Sequence, residues 1–354
     1  MLHSLVKGLV FRMRKRLFRF IALVCVVATL LPLLAACGGD AITLITVNGI
    51  ALKKSDMMLH LFTAKYAMYQ ETIEEGYMSF EDVYHLDEKT LSSEYSNGVS
   101  VRAYILQSAT SSAISAMLYR AVAEEEGISL TKAEKESARQ DVADWINSLG
   151  GTAKYNTFLK ENHVTENALY RYYCDMILGE KIQEEFGDYG KYEMTQEEKD
   201  SLYQDYLDSY YTVDYIYWSK RDTKVGLLLS DKEIAAKYSS ARECLSRLKA
   251  GEDFYTLRKE YSDEAYKTVT FCDGMVDEFF GDTAMALRVN EYSSIVEDTE
   301  NDCYYILHRI ATTDDQWELF YNSCVYSRFN SFMSDYGAKA EYVYKKAYTD
   351  LEFD

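Results

Sequence analysis

Proline is almost missing from this chain of 354 residues: the single one is Pro32. Everything after it can run in helices without interruption, and no native X-Pro bond slows the folding of that part. Histidine is scarce too, at positions 3, 60, 85, 163 and 308, too scattered to draw a metal site. Cysteines 174, 244, 272, 303 and 324 are odd in number and widely spaced, with no CxxC pair. Neither a disulfide framework nor a zinc site is indicated. The chain also lacks a P-loop, a GxSxG elbow and a GxGxxG opening a helix. Nucleotide chemistry and the common serine-hydrolase arrangement therefore have no sequence support, and no metal or cofactor is expected.

Basic charge is in deficit, 38 Lys and Arg against 57 Asp and Glu, and it is unevenly placed. Lys7, Arg12, Arg14, Lys15, Arg16 and Arg19 crowd the start, and no acidic residue precedes Asp40. Phe20 to Leu34 then forms an apolar run, interrupted near its end by Pro32 and followed by Ala35, Ala36 and Cys37. A basic stretch, a short apolar stretch and small residues, in that order, are the marks of a secretory signal; the run is short for a membrane span. The segment beginning at Met13 (MRKRLFRF) would serve as a basic region by itself, so Met1 and Met13 are both candidate starts.

Leu34-Ala35-Ala36-Cys37 has the form of a bacterial lipobox, which predicts cleavage after residue 36 and diacylglycerol on Cys37. Each buried methylene is worth about 0.8 kcal/mol, so two acyl chains anchor stably where one binds reversibly. The expected location is the extracytoplasmic face of a cell membrane. The mature part keeps 32 basic residues against 57 acidic ones, a net of −25. So acidic a body is not expected to bind nucleic acid and stays soluble through self-repulsion.

Beyond the anchor, residues 42–47 (ITLITV) are β-rich and end in the Asn48-Gly49 turn. From Ser55 to Phe186 the periodicity predicts helices. Thr131 with Glu134, Thr195 with Glu198, and Ser230 with Glu233 are three capping boxes that open helices. The character changes at Tyr210: residues 211–218 (YTVDYIYW), 269–271 and 303–310 (CYYILHRI) read as strands, with helices between them. Residues 316–346 are expected to be helical again.

Residues 211–310 resemble a parvulin-type peptidyl-prolyl isomerase domain. The stretch LSDKEIAAKYSSARECLSRLKAGEDFYTLRKEYSDE (229–264) is similar to the family's two-helix segment, and VDEFFGDTAMALRVNEYSSIV (276–296) to the following helix and turn. VNGIALKKSD, EEEGISLTKAE and MTQEEKDSLYQDY resemble the corresponding steps of PrsA- and SurA-like foldases. The resemblance implies an α+β protein: a mainly helical chaperone region (37–208, with a C-terminal helix, 312–354, returning to it) and an inserted parvulin-like module (209–311) behind a signal (1–36). It implies unfolded exported polypeptides as clients, the membrane as a partner through Cys37, and a homodimer as a further candidate assembly.

The family's proline cup implies Met275 and Phe279 as peptide-contacting residues. Glu264 stands at its acid position. Its two histidine positions are occupied here by Tyr215 and Tyr305, and the loop before Met275 is short. His308 is an odd number of residues from Tyr305 and so points to the opposite face of a strand. The leading expectation is a membrane-anchored foldase chaperone with a degenerate, weakly active or inactive isomerase module. An active parvulin-type isomerase and a non-enzymatic solute-binding or structural lipoprotein are the alternatives. Metabolic labelling with palmitate is expected to tag the wild type and not Cys37→Ser; equal tagging of the two would contradict the lipobox.

Overall fold

The computed structural model describes residues 39–75, 86–222, 224–264 and 268–352. The signal segment and Cys37 lie outside the described residues. The chain divides into two compact units: unit 1 holds the residues up to Glu193 and from Tyr326 onward, and unit 2 spans Met194–Val325. The fold is α+β, with helices dominating unit 1 and an antiparallel sheet at the centre of unit 2.

Unit 1 opens with strands β1 (Thr43–Val47) and β2 (Ile50–Lys53), joined at Asn48 and Gly49, both of positive φ. Helices α1 (Lys54–Glu75), α2 (Glu88–Ser92), α3 (Val101–Glu126), α4 (Lys132–Ser148), α5 (Thr152–Glu161) and α6 (Glu166–Glu184) follow. The Thr131 capping box is fully formed: Glu134 N donates to Thr131 Oγ1 at 3.2 Å, and Thr131 N donates to Glu134 Oε2 at 2.6 Å. Two orphan donors at the start of α4 are thereby satisfied. Gly127, at φ 70°, ends α3 in the left-handed conformation that a side chain would disfavour.

α3 buries Ile105, Ala109, Ala113 and Met117 completely. Its alanines allow neighbouring backbones to come close. Where α6 passes α3, Gly179 does the same, since a Cβ there would lie 2.8 Å from the Tyr119 ring. Trp145, Phe158 and Phe62 stack edge to face at 4.5 Å and 4.9 Å and fill the space between α1, α4 and α5.

Two departures from the periodicity occur in unit 1. The stretch expected to be helical from Ser55 to Phe186 contains a hairpin, β3 (Glu94–Ser96) with β4 (Val99–Ser100), turning at Asn97-Gly98. Both turn residues have positive φ, the requirement that makes Asn-Gly a favoured two-residue loop. Residues 342–344 leave the expected C-terminal helix and add a strand to β1, Thr46 opposite Val343. Asn48 fixes this edge through its backbone N–H to the Glu341 carbonyl and its side-chain oxygen to Glu341 N.

Charged and polar groups also run through the helical core. Arg171 Nη2 donates to Asp56 Oδ1 at 2.6 Å and to Asp40 Oδ1 at 2.7 Å. Arg120 holds Asp175 in a bidentate pair at 2.6 Å and 2.5 Å. His60, deeply buried beside Ser112 Oγ (3.0 Å) and the Tyr172 ring, has its pKa pushed down by burial, helped by the Arg120 charge, to about 4.

Unit 2 is built on a sheet ordered β6-β5-β8-β7, all antiparallel: β5 is Tyr210–Ser219, β6 Thr268–Cys272, β7 Val296–Asp298 and β8 Cys303–Ile310. Helix α7 (Gln196–Ser209) leads into β5 and carries the Thr195–Glu198 box; α8 (Asp231–Lys249) carries the Ser230–Glu233 box. Helices α9 (Phe254–Tyr261) and α10 (Glu278–Ala286) complete the unit, together with the first part of α11 (Trp317–Lys339). Unit 2 thus extends beyond 209–311 on both sides. Its flanks are aromatic: Tyr206 of α7 packs on Tyr210, Trp317 and Phe320 and donates its hydroxyl to the Thr313 carbonyl.

The histidine in unit 1 sets a pH dependence. His60 titrates lower when folded than the ordinary 6.5, so its stabilising contribution is present above pH 6.5 and is lost as pH falls toward 4. A shift of that size corresponds to roughly 3 kcal/mol when fully expressed. His60→Gln, which keeps a partner for Ser112 but does not titrate, is expected to show a smaller fall in melting temperature between pH 7 and pH 4.5 than the wild type. Parallel curves for the two proteins would rule this out.

Candidate functional site

β5 is covered on both faces, and its alternation sorts the side chains. Ile216 and Trp218 pack with Tyr304 and Ile306 of β8 against Ala241, Cys244 and Leu248 of α8 and Phe254 and Leu257 of α9. Val213 and Tyr215 pack with Leu307, Phe271, Phe280 and Ala284 on the other face. Tyr217 lies opposite Tyr305 in the β5–β8 register, and Tyr215 lies opposite Leu307. The period of two therefore brings Tyr215, Tyr217 and Tyr305 together.

His308 is on the other face. It is directly opposite Asp214 and packs on Phe254, at 4.8 Å, and on Tyr255. Burial lowers its pKa, partly offset by the Asp214 charge. Asp214 is itself completely buried and accepts from Tyr255 Oη, Thr268 Oγ1 and Arg258 Nη1 at 2.8, 2.8 and 3.3 Å. Asp214 and His308 lie on the face away from the tyrosine pair, while the Arg258 guanidinium stands 5.8 Å from the centre of the Tyr215 ring.

Backbone pairing brings Glu264 to the tyrosines. β6 pairs with β5 only along Tyr210–Asp214, leaving the edge beyond it unpaired by strand. The Tyr261-Ser262-Asp263-Glu264 segment takes that edge. Tyr217 N donates to Ser262 Oγ, Asp263 N donates to the Tyr217 carbonyl, and Ser219 N donates to Asp263 Oδ2. Lys237 of α8 holds the same Asp263 carboxylate at 2.5 Å and 2.6 Å. With its two predecessors fixed, Glu264 reaches Tyr215, whose hydroxyl donates to Glu264 Oε2 at 3.2 Å.

Cys303 stands two residues before Tyr305, on the same face of β8. Both phenols are held well above their ordinary value of 10, chiefly by burial and then by the neighbouring Glu264 (Tyr215) or Cys303 (Tyr305). Burial also pushes the Cys303 thiol up to about 12. Neither tyrosine is able to share a proton near neutral pH, where a histidine pair would.

Three rings close a triangle. Tyr215 and Tyr305 meet edge to face at 5.7 Å, and Phe280 meets each of them edge to face at 5.9 Å and 5.3 Å. Such contacts are worth about 0.5–1.5 kcal/mol each beyond area burial. Phe280 is 5% exposed, whereas the preceding Phe279 is 51% exposed. Asp277 caps α10 by accepting from Phe280 N, and the helix then turns Phe280, Gly281 and Ala284 inward and Phe279 outward. Met275 is half-buried beside the triangle.

The residues singled out from sequence therefore fall into two groups. Tyr215, Tyr305 and Glu264 are brought together; Met275 borders them, and Phe279 faces solvent from α10. Phe280 and Cys303 complete the arrangement and were not singled out. The spacing of Phe280 and Ala284, four apart behind the Asp277 cap, is the signal that marks Phe280. Among the described residues no group of His, Cys, Asp and Glu could hold a metal ion, and no helix is long and apolar enough to cross a membrane.

The adjacent phenylalanines make a direct contrast. Phe280→Ala should destabilise unit 2 by about 3–5 kcal/mol, the usual cost of emptying an aromatic core position. Phe279→Ala should shift stability by no more than about 0.5 kcal/mol, as at most surface positions. Urea unfolding followed by tryptophan fluorescence measures both; equal losses would mean that the side chains do not divide between core and surface.

No family model and no curated protein matches the chain. Solved structures do. Foldase protein PrsA from Streptococcus pneumoniae is 17% identical, with 73% of this chain and 96% of that chain covered and a TM-score of 0.33. PrsA from Lactococcus lactis is 13% identical, with coverage of 86% and 95% and a TM-score of 0.34. A structure of the SurA-like chaperones PEB4 and its relative from Campylobacter jejuni is 10% identical, with coverage of 86% and 99% and a TM-score of 0.26. The chain is thus similar, along most of its length, to PrsA foldases and SurA-like chaperones.

Proposed function

We propose that the mature chain is a foldase-type chaperone on the extracytoplasmic face of a cell membrane, anchored by lipid on Cys37. Unit 1 holds unfolded exported polypeptides. Unit 2 contacts peptide through Met275 and Phe279 and has little or no prolyl isomerase activity. The observation that carries this reading is the state of the two phenols. Tyr215 and Tyr305 stand where the parvulin-like sequence would place histidines; the Tyr215 hydroxyl is engaged with Glu264, and burial holds both phenols well above their ordinary pKa. Phe280 packs against both rings.

Isomerisation of an X-Pro bond crosses a barrier of about 20 kcal/mol and is accelerated by weakening the conjugation of the amide nitrogen. A pocket does this by aimed polar groups in a dry surround. Buried phenols with raised pKa, one of them bound to a carboxylate, have no proton to exchange near neutral pH. The exposed Phe279 ring and the half-buried Met275 offer apolar area without that polar surround.

Two assays separate this reading from an active isomerase. Turnover of short X-Pro peptides should fall on the order of a hundredfold or more below that of an intact parvulin, the usual effect of losing a positioned electrostatic group. Suppression of client aggregation should be retained. Tyr215→His with Tyr305→His should recover only a little activity. A wild-type rate matching an intact parvulin, abolished by Glu264→Ala, would make the protein an ordinary isomerase. Absence of both activities would favour a solute-binding or structural lipoprotein.

A further inference from the structure

The described part of unit 1 begins at Gly39, two residues after Cys37. Among the described residues, Asp40 is the first with a set of long-range side-chain hydrogen bonds. Its Oδ1 accepts from Ser55 Oγ at 2.5 Å and from Arg171 Nη2 at 2.7 Å. Thr165 Oγ1 lies 3.3 Å and 3.2 Å from its two oxygens. Burial alone would raise the Asp40 pKa; the hydrogen bonds from Ser55 and Arg171 outweigh it and hold the carboxyl below its ordinary value. Ser55 is in the first turn of α1, and Thr165 is the residue that caps α6. Asp40 is thus tied to the starts of two long helices, and β1 follows three residues later.

Cys37 is three residues before Asp40. A fully extended chain spans at most about 3.5 Å per residue, so the two α-carbons are separated by no more than about 10 Å. The headgroup layer on one side of a bilayer is itself about 5–8 Å thick. An anchor at Cys37 therefore leaves no room for a spacer between lipid and fold. Charges of both signs meet at this end: Lys53 and Lys54 adjoin Ser55, while Asp56 lies in the first turn of α1 and Glu166 in that of α6.

We infer that, in the lipidated protein, the end of unit 1 where α1 and α6 begin rests against the lipid headgroups. The inference depends on the lipoprotein reading but goes beyond it, because lipidation alone is equally compatible with a long tether holding the chaperone unit far from the membrane.

The test uses the full-length lipidated protein in vesicles of phosphatidylcholine and phosphatidylglycerol with a trace of dansyl-headgroup lipid. Energy transfer from Trp145 is read as the difference between the chain and its Trp145→Phe variant. Trp145 packs on Tyr155 and Phe158 of α5, the helix that precedes α6. The comparison protein carries a twenty-residue Gly-Ser insertion between Gly38 and Gly39, which leaves every described contact intact. Flotation with the vesicles reports anchoring separately. Transfer from Trp145 is expected to be several-fold higher in the native chain than in the insertion variant, with equal flotation. A native chain that floats but transfers no more than the insertion variant overturns this inference alone. A native chain that does not float, or a Cys37→Ser variant that floats as well as the native chain, overturns the lipoprotein reading and this inference with it.

Discussion

The constraint on which unit 2 depends is that its central strand is buried on both sides. Strand β5 has neighbours along both edges and helices over both faces, so each of its side chains must find a partner in the interior. Apolar residues satisfy this by packing. Asp214 satisfies it with three donors, and Tyr215 with Glu264. A buried polar group without a partner costs about 1–3 kcal/mol, so the acid at 264 is a structural requirement of a tyrosine at 215 before it is anything else. The segment that supplies Glu264 is held by the one stretch of β5 that β6 leaves uncovered. Strand length, edge pairing and site geometry are in this way one arrangement.

Tyrosine in place of histidine changes the chemistry of such a site more than its shape. Both are planar and both hydrogen-bond across strands. A phenol with a raised pKa, however, is a fixed donor over the whole physiological range, whereas an imidazole exchanges roles near pH 6.5. The arrangement of Tyr215, Tyr305 and Phe280 is accordingly suited to rigidity. Phe279, exposed on the outer side of α10, and the half-buried Met275 lie outside this triangle.

Much of this was legible in the sequence wherever the signal is local. The three capping boxes are hydrogen bonds between residues three apart, and all three helices start where Thr131, Thr195 and Ser230 place them. The parity of Tyr305 and His308 sufficed to put them on opposite faces. The Asn97-Gly98 hairpin was overlooked because its strands are only three and two residues long, too short for periodicity to register beside long helices. The strand at 342–344 depends on β1, almost three hundred residues earlier, and no local pattern announces such a partner. The same holds for Arg171 with Asp40 and Asp56, and for the choice of Phe280 over Phe279, which the Asp277 cap decides by setting the phase of α10.

The burial of two cysteines in unit 2 has a redox meaning. Attack on disulfides and oxidants needs the thiolate. Cys303 and Cys244 are completely buried, and burial pushes both up to about 12, so that little thiolate forms at neutral pH. Disulfide exchange, which supplies cross-links to so many exported proteins, has almost nothing to react with at these two positions. In the exported chain proposed above, these sulfurs would be protected by slow chemistry, and an oxidant would reach them only when unit 2 opens.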